Sequence, residues 1–116
     1  MKAKLPIKNF ENNEITEKEF DVDFTLLSQM RFESKFPELA KHEDLLSYSK
    51  RIMNYDLNMA KLLSMLKTLY CWFDTDIEFL DFVKLFDFSD KNYVDLLISK
   101  IKSIFDLILN SSVEKN

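Results

Sequence analysis

The chain contains no glycine and only two prolines, Pro6 and Pro37, in 116 residues. Glycine is the residue that enters positive-φ turns without a steric cost, so any such turn here must use Asn or Asp. Helices need neither glycine nor proline, and they become the favoured element. Gly-rich phosphate loops are excluded, and with them most nucleotide-binding motifs. Apolar residues make up 47% of the chain, with eleven Phe, so one domain with a real core is expected rather than a disordered chain.

The first 24 residues depart from the helical pattern. "KEFDVDF" (18–24) alternates strictly, with Phe20, Val22 and Phe24 on one side and Glu19, Asp21 and Asp23 on the other. That is the period of a half-buried strand. "KLPIKNF" (4–10) is its candidate partner, joined through Asn12 and Asn13 into a loose hairpin, with Pro6 confining this segment to an edge. A lone hairpin is marginal, so it must lie on the helical body or pair with another chain.

From Thr25 to about residue 110 the periodicity is helical. "TLLSQMRFESKF" reads as a short helix stopped before Pro37. A second helix begins at Pro37 or at Glu43 and runs to about Asn54, with Leu39, Leu46 and Met53 seven apart. A third covers about 56–73, its polar positions Asn58, Lys61, Ser64 and Thr68 forming one narrow stripe. A fourth opens on a capping box, Thr75 with Glu78, and runs to about Phe86. Ser89 is placed to cap the last helix, about 90–110, with Asp90 favourable to its dipole, and residues 111–116 form a polar, frayed tail. The expected fold is mainly α: a compact single-domain bundle of about five helices with a small N-terminal β-hairpin.

Two helices, 56–73 and 90–110, are apolar over nearer two thirds of their circumference, where a surface helix shows a stripe of roughly 100–140°. Both being central, or part of their surface being covered by another chain, accounts for this breadth, and self-association or an apolar binding groove is expected.

Candidate chemistry is thin. "LKTLYCWFDTD" (66–76) holds the only cysteine, Cys71, and the only tryptophan, Trp72. Cys71 lies near a helix C-terminus with acids following, a setting that disfavours the thiolate, so it reads as a small buried hydrophobe. Asp74, Asp76 and Glu78 have the spacing that opens a calcium loop, but that loop needs a Gly at its turn. They read as capping and solvated acids. His42 has no nucleophile spaced near it, and one Cys with one His falls short of a zinc site. Met53, Met59 and Met65 recur every six residues, which points successive side chains about 120° apart and builds no shared face. No catalytic role, cofactor or metal is expected.

The net charge of −4 is unevenly spread. Residues 74–90 carry six acids against Lys84 alone, whereas 25–73 carry seven Lys/Arg against five acids. An acidic chain without a basic helix argues against nucleic acid as a partner. No signal peptide and no run of about 18 apolar residues occurs, so no membrane association is expected, and a lone cysteine suits a reducing cytoplasm.

Three stretches together resemble one family. "RFESKFPELAKHEDLLSYSKRI" (31–52) is similar to a segment in which an Arg/Glu-rich helix leads into FP-x-LA and then L-x-x-Y-x-x-RI. "LLSMLKTLYCWFDTDIEFLDFVKLFDFSD" (62–90) resembles an "LKALYCFIE" helix followed by an acidic turn and a Phe-rich helix, and "LLISKIKSIFDLILNSSVEKN" (96–116) resembles a closing helix with an NSS-x-x-KN tail. The family is the tail assembly chaperones of long-tailed (siphovirus-type) bacteriophages and prophages, and the resemblance covers about residues 25–116. It implies a non-enzymatic helper in the host bacterial cytoplasm. Such a protein holds the tape measure protein, helps recruit tail tube protein, and is absent from the mature virion.

The resemblance further implies a −1 ribosomal frameshift that adds a second domain to a minority of chains. Glu114, Lys115 and Asn116 can be encoded by GAA AAA AAC, an A-rich run able to slip. Synonymous codons that break the run in the gene would exclude it. Trp72, Phe73, Phe79, Phe82 and Phe86 are the candidate client or self-association surface, with core packing the alternative for each. A reading from another class is a small helical regulatory or antitoxin-like interaction module, which needs a basic recognition helix that this chain lacks.

Overall fold

The computed structural model describes residues 1–54 and 59–114. β1 (Lys2–Lys8) and β2 (Ile15–Val22) pair antiparallel, Lys2 opposite Asp21 and Lys8 opposite Ile15. Asn13, at φ 60°, takes the left-handed turn position that glycine would otherwise fill. The side chains of Asn9 and Asn12 accept from the N–H groups of Glu11 and Glu14 and hold the loop. The hairpin is not an appendage. Ala3, Leu5, Phe20 and Val22 are buried against the helices, as the alternation of β2 requires. Pro6 does lie on the edge strand.

A third strand was not anticipated. β3 (Phe73–Asp74) pairs antiparallel with the end of β2, giving the order β1-β2-β3. Phe73, expected to end a helix, is extended, and its backbone completes the sheet beside Val22. The architecture is therefore mixed: a three-stranded antiparallel sheet packed with six α-helices among the described residues, rather than a helical bundle with a hairpin attached.

α1 (Leu26–Lys35) starts on Thr25, whose hydroxyl accepts from the Leu27 N–H, and stops before Pro37. "PELA" neither joins the next helix nor stays irregular; it forms its own turn, α2 (Pro37–Ala40). α3 (Leu45–Met53) is capped by Asp44, which accepts from the Ser47 N–H at 2.7 Å. A single 3₁₀ turn, Met59–Lys61, leads into α4 (Leu62–Trp72). The expected start of that helix near residue 56, with Leu57 and Asn58, lies outside the described residues.

α4 is the central helix. Eight of its eleven residues are buried, including Thr68 of the expected polar stripe, whose hydroxyl donates back to the Ser64 carbonyl at 2.7 Å. The breadth of its apolar face is thus largely spent on the core.

α5 is shorter than expected, Phe79–Val83, and the capping box does not form. Glu78 is itself the extended residue before the helix, and its carboxylate reaches out to Lys35. Thr75 accepts from the Ile77 N–H instead. α6 (Lys91–Glu114) is capped by Asp90 rather than Ser89: Asp90 accepts from the N–H groups of Asn92 and Tyr93. It continues to Glu114, past the expected end near 110, so most of the expected tail is helix. Its inner face buries Tyr93, Val94, Leu97, Ile101, Ile104, Phe105 and Ile108.

Candidate interaction surface

The five aromatic residues singled out from the sequence come together, but inside the protein. Phe73 stacks on Phe20 with centroids 4.7 Å apart and planes 4° from parallel. Phe82 meets Phe20, Tyr70, Phe73 and Phe86 edge-on or tilted. Phe79 packs on Phe36 and Tyr70 from the rim. Phe73 and Phe82 are fully buried, Trp72 and Phe86 nearly so, and Phe79 half-buried. In this packing they join the sheet to α4 and α5 and present no continuous face to a client. The physical reason is the third strand, which turns Phe73 inward against Phe20.

The polar groups around them are matched. The Trp72 Nε1–H donates to Ser49 Oγ at 2.9 Å. Arg31 closes the end of α4, its Nε donating to the Cys71 carbonyl at 3.0 Å while its Nη2 pairs with Asp23 at 3.0 Å. Burial works against the Asp23 carboxylate, but hydrogen bonds from Thr25 and then Arg31 outweigh it and hold its pKa below the usual range. Cys71 is fully buried, and burial pushes its thiol up to about 12. Such a thiol is inert at neutral pH.

Lys8 ties the sheet to the start of α6. Its Nζ lies 2.9 Å from Asp87 and 3.0 Å from Asp90, while the Ser89 N–H and hydroxyl also donate to Asp87. The Ser89 bonds foremost, with Lys8 behind them, lower the Asp87 carboxyl to about 2. Acids of the 74–90 segment are thus partly engaged: Asp87 and Asp90 with Lys8, Glu78 with Lys35, Asp81 with Lys84. Asp74 and Asp76 are exposed. Among the described residues, no three His, Cys, Asp or Glu side chains cluster as metal ligands. His42 is exposed in the turn between α2 and α3.

Open apolar surface lies elsewhere. A groove of about 440 Å³ runs between the start of α4, the end of α5 and the turn before α6. It is lined by Ala60, Leu62, Leu63, Leu66, Val83, Phe86, Asp87 and Phe88. Leu63 and Phe88 stand 52% and 59% exposed at its rim, large values for side chains of their size. Of the predicted aromatic set, only Phe86 reaches this groove.

A second open face is on α1, where Leu26, Leu27 and Met30 are all exposed. The signal for it was available: Ser28 and Phe32, four apart, form the buried side, which leaves Leu26 and Met30, also four apart, facing outward. No helix among the described residues is long and apolar enough to cross a membrane.

Compared with protein-family models, curated proteins and solved structures, the chain matches none. The family resemblance therefore rests on the residues quoted for it.

Proposed function

We propose that the protein is a non-enzymatic tail assembly chaperone of a long-tailed phage or prophage. In this reading it binds the tape measure protein in the host cytoplasm and helps recruit tail tube protein, the latter through a longer frameshifted form. The observation that carries the reading is the order of the three stretches at 31–52, 62–90 and 96–116, which follows the family's order of segments.

The apolar groove supports this reading. A tape measure protein is long and helical, and each amphipathic helix exposes an apolar stripe until its assembly partner covers it. A groove walled by Leu62, Leu66, Val83 and Phe86, with Leu63 and Phe88 projecting at the rim, accepts such a stripe in the helix-in-groove manner. The α1 face of Leu26, Leu27 and Met30 extends the apolar area available to a client.

Co-expression with a tape measure segment from the same genome tests the reading. The segment is expected to stay soluble and to co-purify with the protein. A segment that precipitates equally with and without it would remove the chaperone role.

A further inference from the structure

One charged side chain stands in the apolar groove. Among the described residues that line it, only Asp87 is charged, and it lies between Phe86 on the wall and Phe88 at the rim. Its side chain is 9% exposed. The carboxyl, held down at about 2 by the Ser89 bonds and then by Lys8, is ionised at neutral pH. A bare carboxylate in this position would reject an apolar stripe, because covering it removes its water and offers no partner in return.

Both of its oxygens are already engaged. Oδ1 accepts from the Ser89 N–H at 2.9 Å and the Ser89 hydroxyl at 2.7 Å, and Oδ2 accepts from the Lys8 ammonium at 2.9 Å. Lys8 itself does not line the groove. It lines a second hollow of about 460 Å³, with Phe10, Lys84 and Leu85. The pair therefore bridges the wall between the two hollows, carboxylate on the groove side and ammonium behind it. Asp90 shares the same ammonium at 3.0 Å, but its side chain is 40% exposed and also accepts from the N–H groups of Asn92 and Tyr93. Water and the start of α6 thus offset its charge.

We propose, on the reading that the groove receives a helix, that Lys8 determines which helix it takes. By masking Asp87 from behind, Lys8 lets the groove accept an uncharged apolar stripe and reject a stripe interrupted by Lys or Arg. Lys8 acts through Asp87, 79 positions along the chain, and touches no client. Without it the two Ser89 donors remain, but the charge of Asp87 is no longer cancelled. Asp87 then favours a cation brought in by the client, in a site where water is excluded and a close opposite pair is stronger than at the surface. Specificity of this kind is a difference between two affinities, and one residue behind the wall sets its sign.

Isothermal titration with synthetic helices about five turns long tests this. One helix carries an all-leucine stripe with an uncharged polar face, and the others carry the same stripe with one Lys at each position in turn. The wild type is expected to bind the leucine helix at least about tenfold more tightly than any lysine helix. In Lys8→Gln, which keeps a donor but no charge, the best lysine helix is expected to gain at least about tenfold relative to the leucine helix. In K8Q/D87N that gain is expected to vanish, a reversal that loosened packing alone would not produce. Circular dichroism checks that each variant is folded. A wild type that binds neither kind of helix, or binds a lysine helix as tightly as the leucine one, overturns the proposal without any variant. So does an unchanged ratio in folded K8Q, or a gain that persists in K8Q/D87N. Binding of the leucine helix with no binding of any tape measure segment would remove the proposed function and leave the role of Lys8 standing.

Discussion

The indole N–H of Trp72, at the end of α4, donates to the hydroxyl of Ser49 on α3 across 2.9 Å, and that hydroxyl donates in turn to the Leu45 carbonyl at 2.7 Å. Both residues are buried, so Ser49 satisfies a donor that no water reaches. Ser49→Ala strands the indole N–H in the core. The expected cost is about 1–3 kcal/mol of folding stability. Urea unfolding followed by the fluorescence of Trp72, the only tryptophan, measures it. An unchanged midpoint would mean that this bond contributes nothing.

Asp87 provides a pH signature. Its folded pKa is about 2, below the ordinary carboxylate value of 3.8, so the native state favours its charged form. The resulting stabilisation is complete above the ordinary value and is lost as pH falls from about 4 through about 2. Asp23 and Asp90, also lowered, add in the same direction. Stability measured by denaturant titration between pH 5 and 2 is expected to fall steeply in the wild type and less steeply in Asp87→Asn. Identical slopes would refute the role of Asp87.

Cys71 is expected to be silent in the native state. With its thiol buried and raised to about 12, it should not react with a thiol reagent at pH 8 until the protein unfolds. Adding urea past the midpoint should release stoichiometric reaction. Rapid native labelling would contradict the burial of the α4 end.

Much of this fold was legible because local chemistry and tertiary packing agree. Phe20 and Val22 alternate and face inward, Asn13 stands in for glycine, and α1 stops before Pro37. The misses share a cause. β3 is only Phe73 and Asp74, too short to show a period, and it exists because the open edge of β2 recruits it. The Thr75–Glu78 capping box had the right residues, but Lys35 lies 3.4 Å from the Glu78 carboxylate, and the Tyr70 hydroxyl holds the Ile77 carbonyl at 2.5 Å. Partners 43 and seven residues away overrode a local signal.

The candidate surface was only half legible for a similar reason. A broad apolar helix announces that something covers it, but not whether the cover is its own chain. Trp72 is covered by Phe24 and Ser49, and Phe73 and Phe82 by Phe20 and each other, whereas Leu63 and Phe88 are left open.

Groove substitutions separate binding from folding. Leu63→Glu and Phe88→Asp change side chains already more than half exposed, so each is expected to alter stability by no more than about 0.5 kcal/mol. Phe82→Ala, by contrast, empties a fully buried site and is expected to cost about 3–5 kcal/mol. Thermal melts of the three variants distinguish the two classes.

The central claim is that this groove holds a helix of the tape measure protein. Isothermal titration of helical tape measure peptides from the same genome, into the wild type and into L63E/F88D, tests it most directly. Saturable binding to the wild type is expected, weakened at least about tenfold in the double variant at unchanged melting temperature, the loss of two apolar anchors. Equal affinity for both proteins, or no binding to the wild type by any segment, would contradict it.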